Sequence, residues 1–323
     1  MKHFQGYCLC LAGSLALTFG SAANAGEMLT PGATAAGFTL STFADGFPTT
    51  GFCCGPLGIA FPTTGGVMVS DFPGNVRTFA TDTDGQHAGD FTPAQNYGSN
   101  NGVGLATLNG NVYMTEQAAG KVVQLNNDGT FDQNIISIGV ATGISADASN
   151  GLLYVSDVSS DIWAVDPVAK TRTAFASGVF DGVTVDTASG LVYAESGGSI
   201  LGYRISDGTL VFNSGVIPDS PDGVAVGTGS LAGNLFVNTN GGSLWEVNIA
   251  TMAQMELGSG GSRGDFVTAD PNGTLLLTQT DSILRLTAPA GGGFGGAPEP
   301  GTIGLMFGGL GAVMFGLRRR ARG

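Results

Sequence analysis

Residues 182–212, GVTVDTASGLVYAESGGSILGYRISDGTLVF, decide the fold. Apolar β-formers alternate there with small or polar residues, and Gly, Ser and Asp break the runs where tight turns require them. The pattern predicts strands over 182–186, 191–195, 199–205 and 209–212, joined by turns at 187–190, 196–198 and 206–208. One such meander has two open edges and too little core to stand alone. It needs copies of itself as neighbours.

The chain supplies them. Related units open at Gly58 (GIAF…GGVMVSD), Gly104 (GLATLNGNVYMTE), Gly143 (GISADASNGLLYVSD), Gly182 (GVTVDTASGLVYAES), Gly223 (GVAVGTGSLAGNLFVNT) and Phe266 (FVTADPNGTLLLTQ). The starts are 46, 39, 39, 41 and 43 residues apart, the period of four strands per propeller blade. In each unit the second strand ends on a polar residue: Asp71, Glu116, Asp157, Glu195, Asn238 and Gln279. The sixth unit shows only three strands before the chain becomes Gly-rich. A closed ring therefore needs a fourth strand from elsewhere. Residues 37–43 (GFTLSTF) belong to no unit and alternate correctly, so they are expected to pair beside 283–286 and remove the last open edges.

The fold class expected is all-β, a six-bladed β-propeller closed by an N-terminal strand, with one C-terminal transmembrane helix. The repeated G-V-x-V-D…G-x-L-Y-V-x-D phrase resembles the six-bladed NHL and SMP-30/gluconolactonase-like propellers over residues 37–287. That likeness speaks to fold and says little about function.

Four segments are expected: a signal peptide (1–25), the propeller (26–287), a Gly-rich linker (288–297) and a C-terminal segment (298–323). The first has Lys2, an apolar run over 7–19 and Ala23-Asn24-Ala25 before Gly26, the layout of a secretory leader with an A-x-A cleavage site. No Cys follows the small residues as a lipoprotein would require. The fourth holds Pro298-Glu299-Pro300, an apolar stretch over 302–317 and Arg318-Arg319-Arg320. Its helix would be about 24 Å long, short of a bilayer core of roughly 30 Å, with the arginines snorkelling and staying cytoplasmic.

This order of motif, short span and basic tail resembles the PEP-CTERM sorting signal of Gram-negative bacteria. The resemblance implies a transient inner-membrane stage, an exosortase as partner acting near Pro298-Glu299-Pro300, and release to the cell surface or extracellular matrix, often alongside exopolysaccharide. The alternative is a permanent single-span anchor.

Between the terminal segments lie about 270 residues, enough for one large β domain. They carry 24 acidic residues (25 less Glu299) and 7 basic ones (12 less Lys2, Arg318, Arg319, Arg320 and Arg322), a net charge near −17. Such a surface keeps the protein soluble, repels nucleic acid and attracts cations.

Cys8 and Cys10 leave with the leader, so Cys53 and Cys54 remain. In an oxidising compartment adjacent cysteines are expected to form a vicinal disulfide that staples the loop entering blade one. A redox role is the alternative, since the pair resembles the one beside the cofactor of quinoprotein dehydrogenases. That family's tryptophan-docking pattern is missing here, where only Trp163 and Trp245 exist. The insertion 81–101 contains D-T-D-G without the rest of a calcium loop and reads as a surface hairpin. His87, within it, is the one histidine outside the leader. A His-based zinc site cannot be built, and a Ser-His-Asp triad would have to use a peripheral residue.

The most suggestive constellation is Asp181, Asp222 and Asp265, each standing just before the first strand of its blade, with Asn101 near the equivalent place in blade two. First strands line a propeller's channel, so these side chains are expected to converge at one mouth. A divalent cation such as calcium would relieve their repulsion; capping of their own turns is the other reading. Pro221-Asp222-Gly223 matches the SMP-30-like motif whose Asp implies a metal ligand and catalytic base. The family's N-terminal Glu ligand has no counterpart, because the entry to blade one reads Cys54-Gly55-Pro56-Leu57-Gly58. No nucleophile–base pair stands out. The expected task is binding of a polysaccharide, a surface protein or divalent ions; the rival is a metal-dependent lactonase or hydrolase at the mouth.

Overall fold

The computed structural model describes residues 26–50 and 54–289. Six antiparallel sheets succeed one another along it. Blade one is Pro56–Ala60, Val67–Asp71, Asn75–Phe79 and Gln95–Asn96. Blade two is Leu105–Leu108, Asn111–Glu116, Lys121–Leu125 and Phe131–Ser137. Blade three is Ala141–Asp147, Leu152–Asp157, Asp161–Asp166 and Thr171–Ser177. Blade four is Val183–Asp186, Leu191–Ser196, Ser199–Arg204 and Leu210–Val216. Blade five is Pro221–Val226, Asn234–Thr239, Leu244–Asn248 and Gln254–Ser259. Blade six starts with Val267–Ala269, Leu275–Thr278 and Ile283–Thr287. Each first strand touches the first strand of the next blade, and the sixth touches the first, so the ring is closed.

Closure uses the predicted element. Thr39–Asp45 pairs antiparallel with Ile283–Thr287, with Thr39 opposite Thr287, Leu40 opposite Leu286 and, past a bulge, Ala44 opposite Ile283. The strand starts and ends two residues later than 37–43, because Gly37 takes a left-handed φ of 94° and caps a helix instead.

The rest of the amino-terminal segment was not legible as structure. Met28–Leu29 adds a fifth strand to blade five, opposite Gly258 and Ser259. Pro31–Ala36 is a short helix, with Pro31 in its first turn and the Thr30 hydroxyl accepting from Ala33 N–H at 3.2 Å. Both devices start helices well. This strap therefore crosses from blade five to blade six.

Two other differences have local causes. The outer strand of blade four extends past Phe212 to Val216 through a bulge, where the Ser214 hydroxyl accepts from Ile200 N–H at 2.9 Å before pairing resumes at Val216. The insertion 81–101 is more than a hairpin: it supplies blade one's two-residue outer strand, and Gln86–His87 pairs in parallel with Ala44 and Asp45. Two of its acidic residues, Asp82 and Asp84, hold a side chain of blade six. Arg285, on the last strand of blade six, is gripped by Asp82, Asp84 and Asp270.

The core lies between blades. Leu153, Val155 and Val165 of blade three pack on Ala106, Leu108 and Val122 of blade two. Leu235, Val237 and Val247 of blade five pack on Tyr193 and Ile200 of blade four. Between five and six, Ala33 and Phe38 of the strap join Leu257, Leu275 and Leu286. Burying each such side chain contributes about 1.5–3 kcal/mol. Among the described residues no helix is long and apolar enough to cross a membrane; the expected span over 302–317 lies outside them.

Candidate functional site

Close approach of the first strands builds the mouth. A Cβ placed on Gly104 would lie 2.6 Å from the Thr142 carbonyl oxygen, and one on Gly223 would lie 2.3 Å from that of Asp265. The leading glycines of the repeat are therefore required by contact between blades. Hydroxyls near the ends of second strands stitch those contacts. Ser70 Oγ accepts from Gly58 N–H and donates to Val103 O, both at 3.0 Å. Thr115 and Ser156 repeat the arrangement, donating to Thr142 O and Asp181 O.

Consequently the residue just before each repeat opening (Gly58, Gly104, Gly143, Gly182, Gly223 and Phe266) is presented to the axis. Around the ring these are Leu57, Val103, Thr142, Asp181, Asp222 and Asp265, and all six line one cavity of about 70 Å³. The ring is two-sided: blades one to three contribute apolar or neutral groups, and blades four to six contribute carboxylates. Phe72, Phe266, Asn100 and Gln117 complete the wall.

Asp222 and Asp265 are buried. Burial, and then the charges of Asp181 and Asp265, push the Asp222 carboxyl well above the ordinary range, where it can hydrogen-bond to its acidic neighbours. Burial also raises Asp181 and Asp265, against the opposing effect of these hydrogen bonds and of Arg263. Arg263 Nη2 lies 2.7 Å from Asp265 Oδ1 and 3.5 Å from Asp222 Oδ2, and its Nε donates to Asp265 Oδ1 at 2.8 Å. Burial disfavours the guanidinium charge, yet the three carboxylates outweigh it and hold Arg263 above its usual value. The side chain remains 40% exposed, so it reaches the cluster from the solvent side. Glu195, on the second strand of blade four, is raised to about 7, first by burial and then by the charge of Asp181 against a hydrogen bond from Gly198.

The three predicted aspartates are thus brought together. Asn101 is not with them. Its amide is spent elsewhere, donating to Tyr97 O of its own loop at 3.1 Å and accepting from Ala119 N–H, in the turn after Glu116, at 2.8 Å. The equivalent place in blade two is Val103, directly before Gly104. Its neighbour Asn100 does reach the cavity, with a left-handed φ of 61° and a buried, unpaired Oδ1. Arg263 was the residue missed, although S-R-G-D-F places it two residues before Asp265.

Among the described residues no group of three or more His, Cys, Asp and Glu is spaced to hold a metal ion. Cys54 lines the mouth and is disulfide-bonded; Cys53 lies outside the described residues. So do Ala23 and Ala25, the motif Pro298-Glu299-Pro300, and Arg318, Arg319 and Arg320. The polar ends of second strands behave as turn and strand fasteners: Asp71 accepts from Asn75 N–H at 2.8 Å, Asp157 from Ser159 N–H at 3.0 Å and Glu195 from Gly198 N–H at 2.9 Å. Glu116 pairs with Lys121 at 3.1 Å.

No family model matches the sequence, and no curated protein matches it. Solved structures do match in fold. A gluconolactonase of Xanthomonas campestris superposes with a TM-score of 0.63 at 16% identity, covering 82% of this chain and 95% of that one. A glucose dehydrogenase gives 0.56 at 16% identity, covering 78% and 99%. A chain of a nidogen/laminin complex gives 0.57 at 17% identity, covering 72% and 98%. These three are all under 20% identical to this chain, and what they share with it is the architecture, a six-bladed β-propeller.

Proposed function

We propose that this chain is an exported binding module whose mouth takes the hydroxylated end of a polysaccharide. The carrying observation is the two-sided ring. Arg263, Asp222 and Asp265 offer a donor and acceptors to neighbouring hydroxyls on one side, while Leu57, Val103, Phe72 and Phe266 offer an apolar wall to the C–H face. Sites for small polar ligands combine a few placed polar groups with such a wall. The cavity has room for a terminal group rather than a whole oligosaccharide. A glycan array followed by calorimetry tests this: a hit should be weakened at least about tenfold in Arg263→Ala and Asp222→Asn, and no hit, or an unaffected one, overturns it.

Export rests on the leader over 1–25, and surface or matrix display on the Pro298-Glu299-Pro300 segment with exosortase as transient partner at the inner membrane. Masses of both ends of the protein secreted by its own host test this: an intact C-terminus would leave a permanent anchor.

A second reading is favoured by one observation, the crowding of Asp181, Asp222 and Asp265 in one cavity, where burial and like charge hold the Asp222 carboxyl well above its ordinary range. A carboxyl held protonated beside an ionised one is equipped for acid–base work on a lactone or ester. The donor set does not fit the divalent cation that metal-dependent lactonases of this fold imply, because the Arg263 guanidinium already stands among the carboxylates. Turnover of gluconolactone that is lost in Asp222→Asn and insensitive to chelator would establish this reading over the first.

A further inference from the structure

Arg263, the only basic group lining the mouth among the described residues, is held from behind. Its neighbour Ser262 donates N–H to Gln279 Oε1 at 2.7 Å and its hydroxyl to the same oxygen at 3.2 Å. Thr280 N–H in turn donates to Ser262 Oγ at 2.8 Å. The other end of the Gln279 amide donates to Glu27 Oε2 at 3.0 Å. Glu27 belongs to the amino-terminal strap, 252 residues from Gln279 in sequence, and is 7% exposed. Its Oε1 has no partner and occupies the space above Gly258 that a side chain there would fill.

We infer that Glu27 is a positioning residue for Arg263: the strap carboxyl orients Gln279, Gln279 orients Ser262, and Ser262 aims the guanidinium at the mouth. The path is continuous: its first two links are hydrogen bonds between buried or half-buried groups, and the last is the peptide bond from Ser262 to Arg263. The strap that closes the ring thereby also sets the charge geometry of the site. In its consequence for ligand binding, this rests on the reading of the mouth given above.

The relay is sensitive to pH. The elements packed against Glu27 present Gly258, Gly261 and Gln279, and the one other charged residue bordering its cavity is Asp281, also an acid. No side chain among the cavity's lining residues carries a positive charge; removal of residues 1–25 would place the Gly26 α-amino group beside Glu27 as the one cation. Burial raises Glu27 to about 7. Below that pH the neutral acid tolerates its sealed position. Above it, a buried charge with one unpaired oxygen destabilises the strap and releases Gln279.

The test needs no ligand. Side-chain Nε–H signals of the full mature protein, labelled with ¹⁵N-arginine and acetylated at its N-terminus so that no α-amino group titrates beside Glu27, are followed from pH 5 to 9, with Arg263 identified by its loss in Arg263→Lys and Arg285 as internal reference. The expected result is a step in the Arg263 signal with a midpoint near 7 that disappears in Glu27→Gln and in Gln279→Met, while the Arg285 signal stays still. Glu27→Gln is nearly isosteric and keeps an acceptor for Gln279, so loss of fold is not expected to obscure the outcome. A step that survives in Glu27→Gln, or no step in the parent protein, overturns the inference. If the step behaves as expected and no glycan binds, the relay stands and the polysaccharide reading falls.

Discussion

Gly182 donates its N–H to the carbonyl oxygen of Asp222 at 3.1 Å, and a methyl group on its Cα would stand 2.3 Å from that same oxygen. This contact fixes how far blade four lies from blade five at the axis. Gly182→Ala must push the two first strands apart, at a cost of about 1–3 kcal/mol typical of overpacking. Urea unfolding should show that loss, and the mouth should lose affinity beyond it because Asp222 moves. Unchanged stability would mean that the ring can widen freely.

Arg285 joins the closing strand's partner to the insertion through Asp82, Asp84 and Asp270. Arg285→Met leaves three acids without their cation. Breaking such a cluster by removing one partner costs about 3–5 kcal/mol. Limited proteolysis should then cut within residues 81–90 before any other site, and a digestion pattern like that of the parent would refute the role given to Arg285.

Asp222 holds its proton more tightly folded than unfolded. The stability it contributes is present in acid and declines as pH rises through its raised folded value. Asp222→Asn keeps a donor toward Asp181 and abolishes the decline, so the variant should gain stability over the parent at pH 8 and nothing at pH 4. Thermal melts at the two values read this directly.

Glu27 acts with the same sign over a defined window. Burial lifts it from 4.5 to about 7, so its contribution is complete below 4.5 and lost as pH climbs through 7. The decline is about 3 kcal/mol if the strap stays docked. Glu27→Gln should flatten the stability profile between pH 5 and 8. An unaltered slope would place the titrating group elsewhere.

Much of the site was readable because the repeat carries it. Asp181-Gly182 and Asp222-Gly223 stand at one phase of the phrase, so a common axis puts them together. The same phase count picks Val103 rather than Asn101 in blade two; the insertion before it obscured the alignment. Arg263 was not readable, since a basic residue two positions before a strand can turn toward solvent or toward the axis. Its direction is set by Gln279 and Ser262, and that grip depends on Glu27 from the far end of the chain.

Period and alternation, which are local properties, were enough to establish six blades and the strand that shuts the ring. Tertiary contact alone decided that half the mouth is apolar, that an arginine stands among the aspartates, and that the strap holds it there. The physical reason is range: turn chemistry and side-chain alternation act over a few residues, whereas burial and charge pairing depend on groups that meet only after the ring has closed.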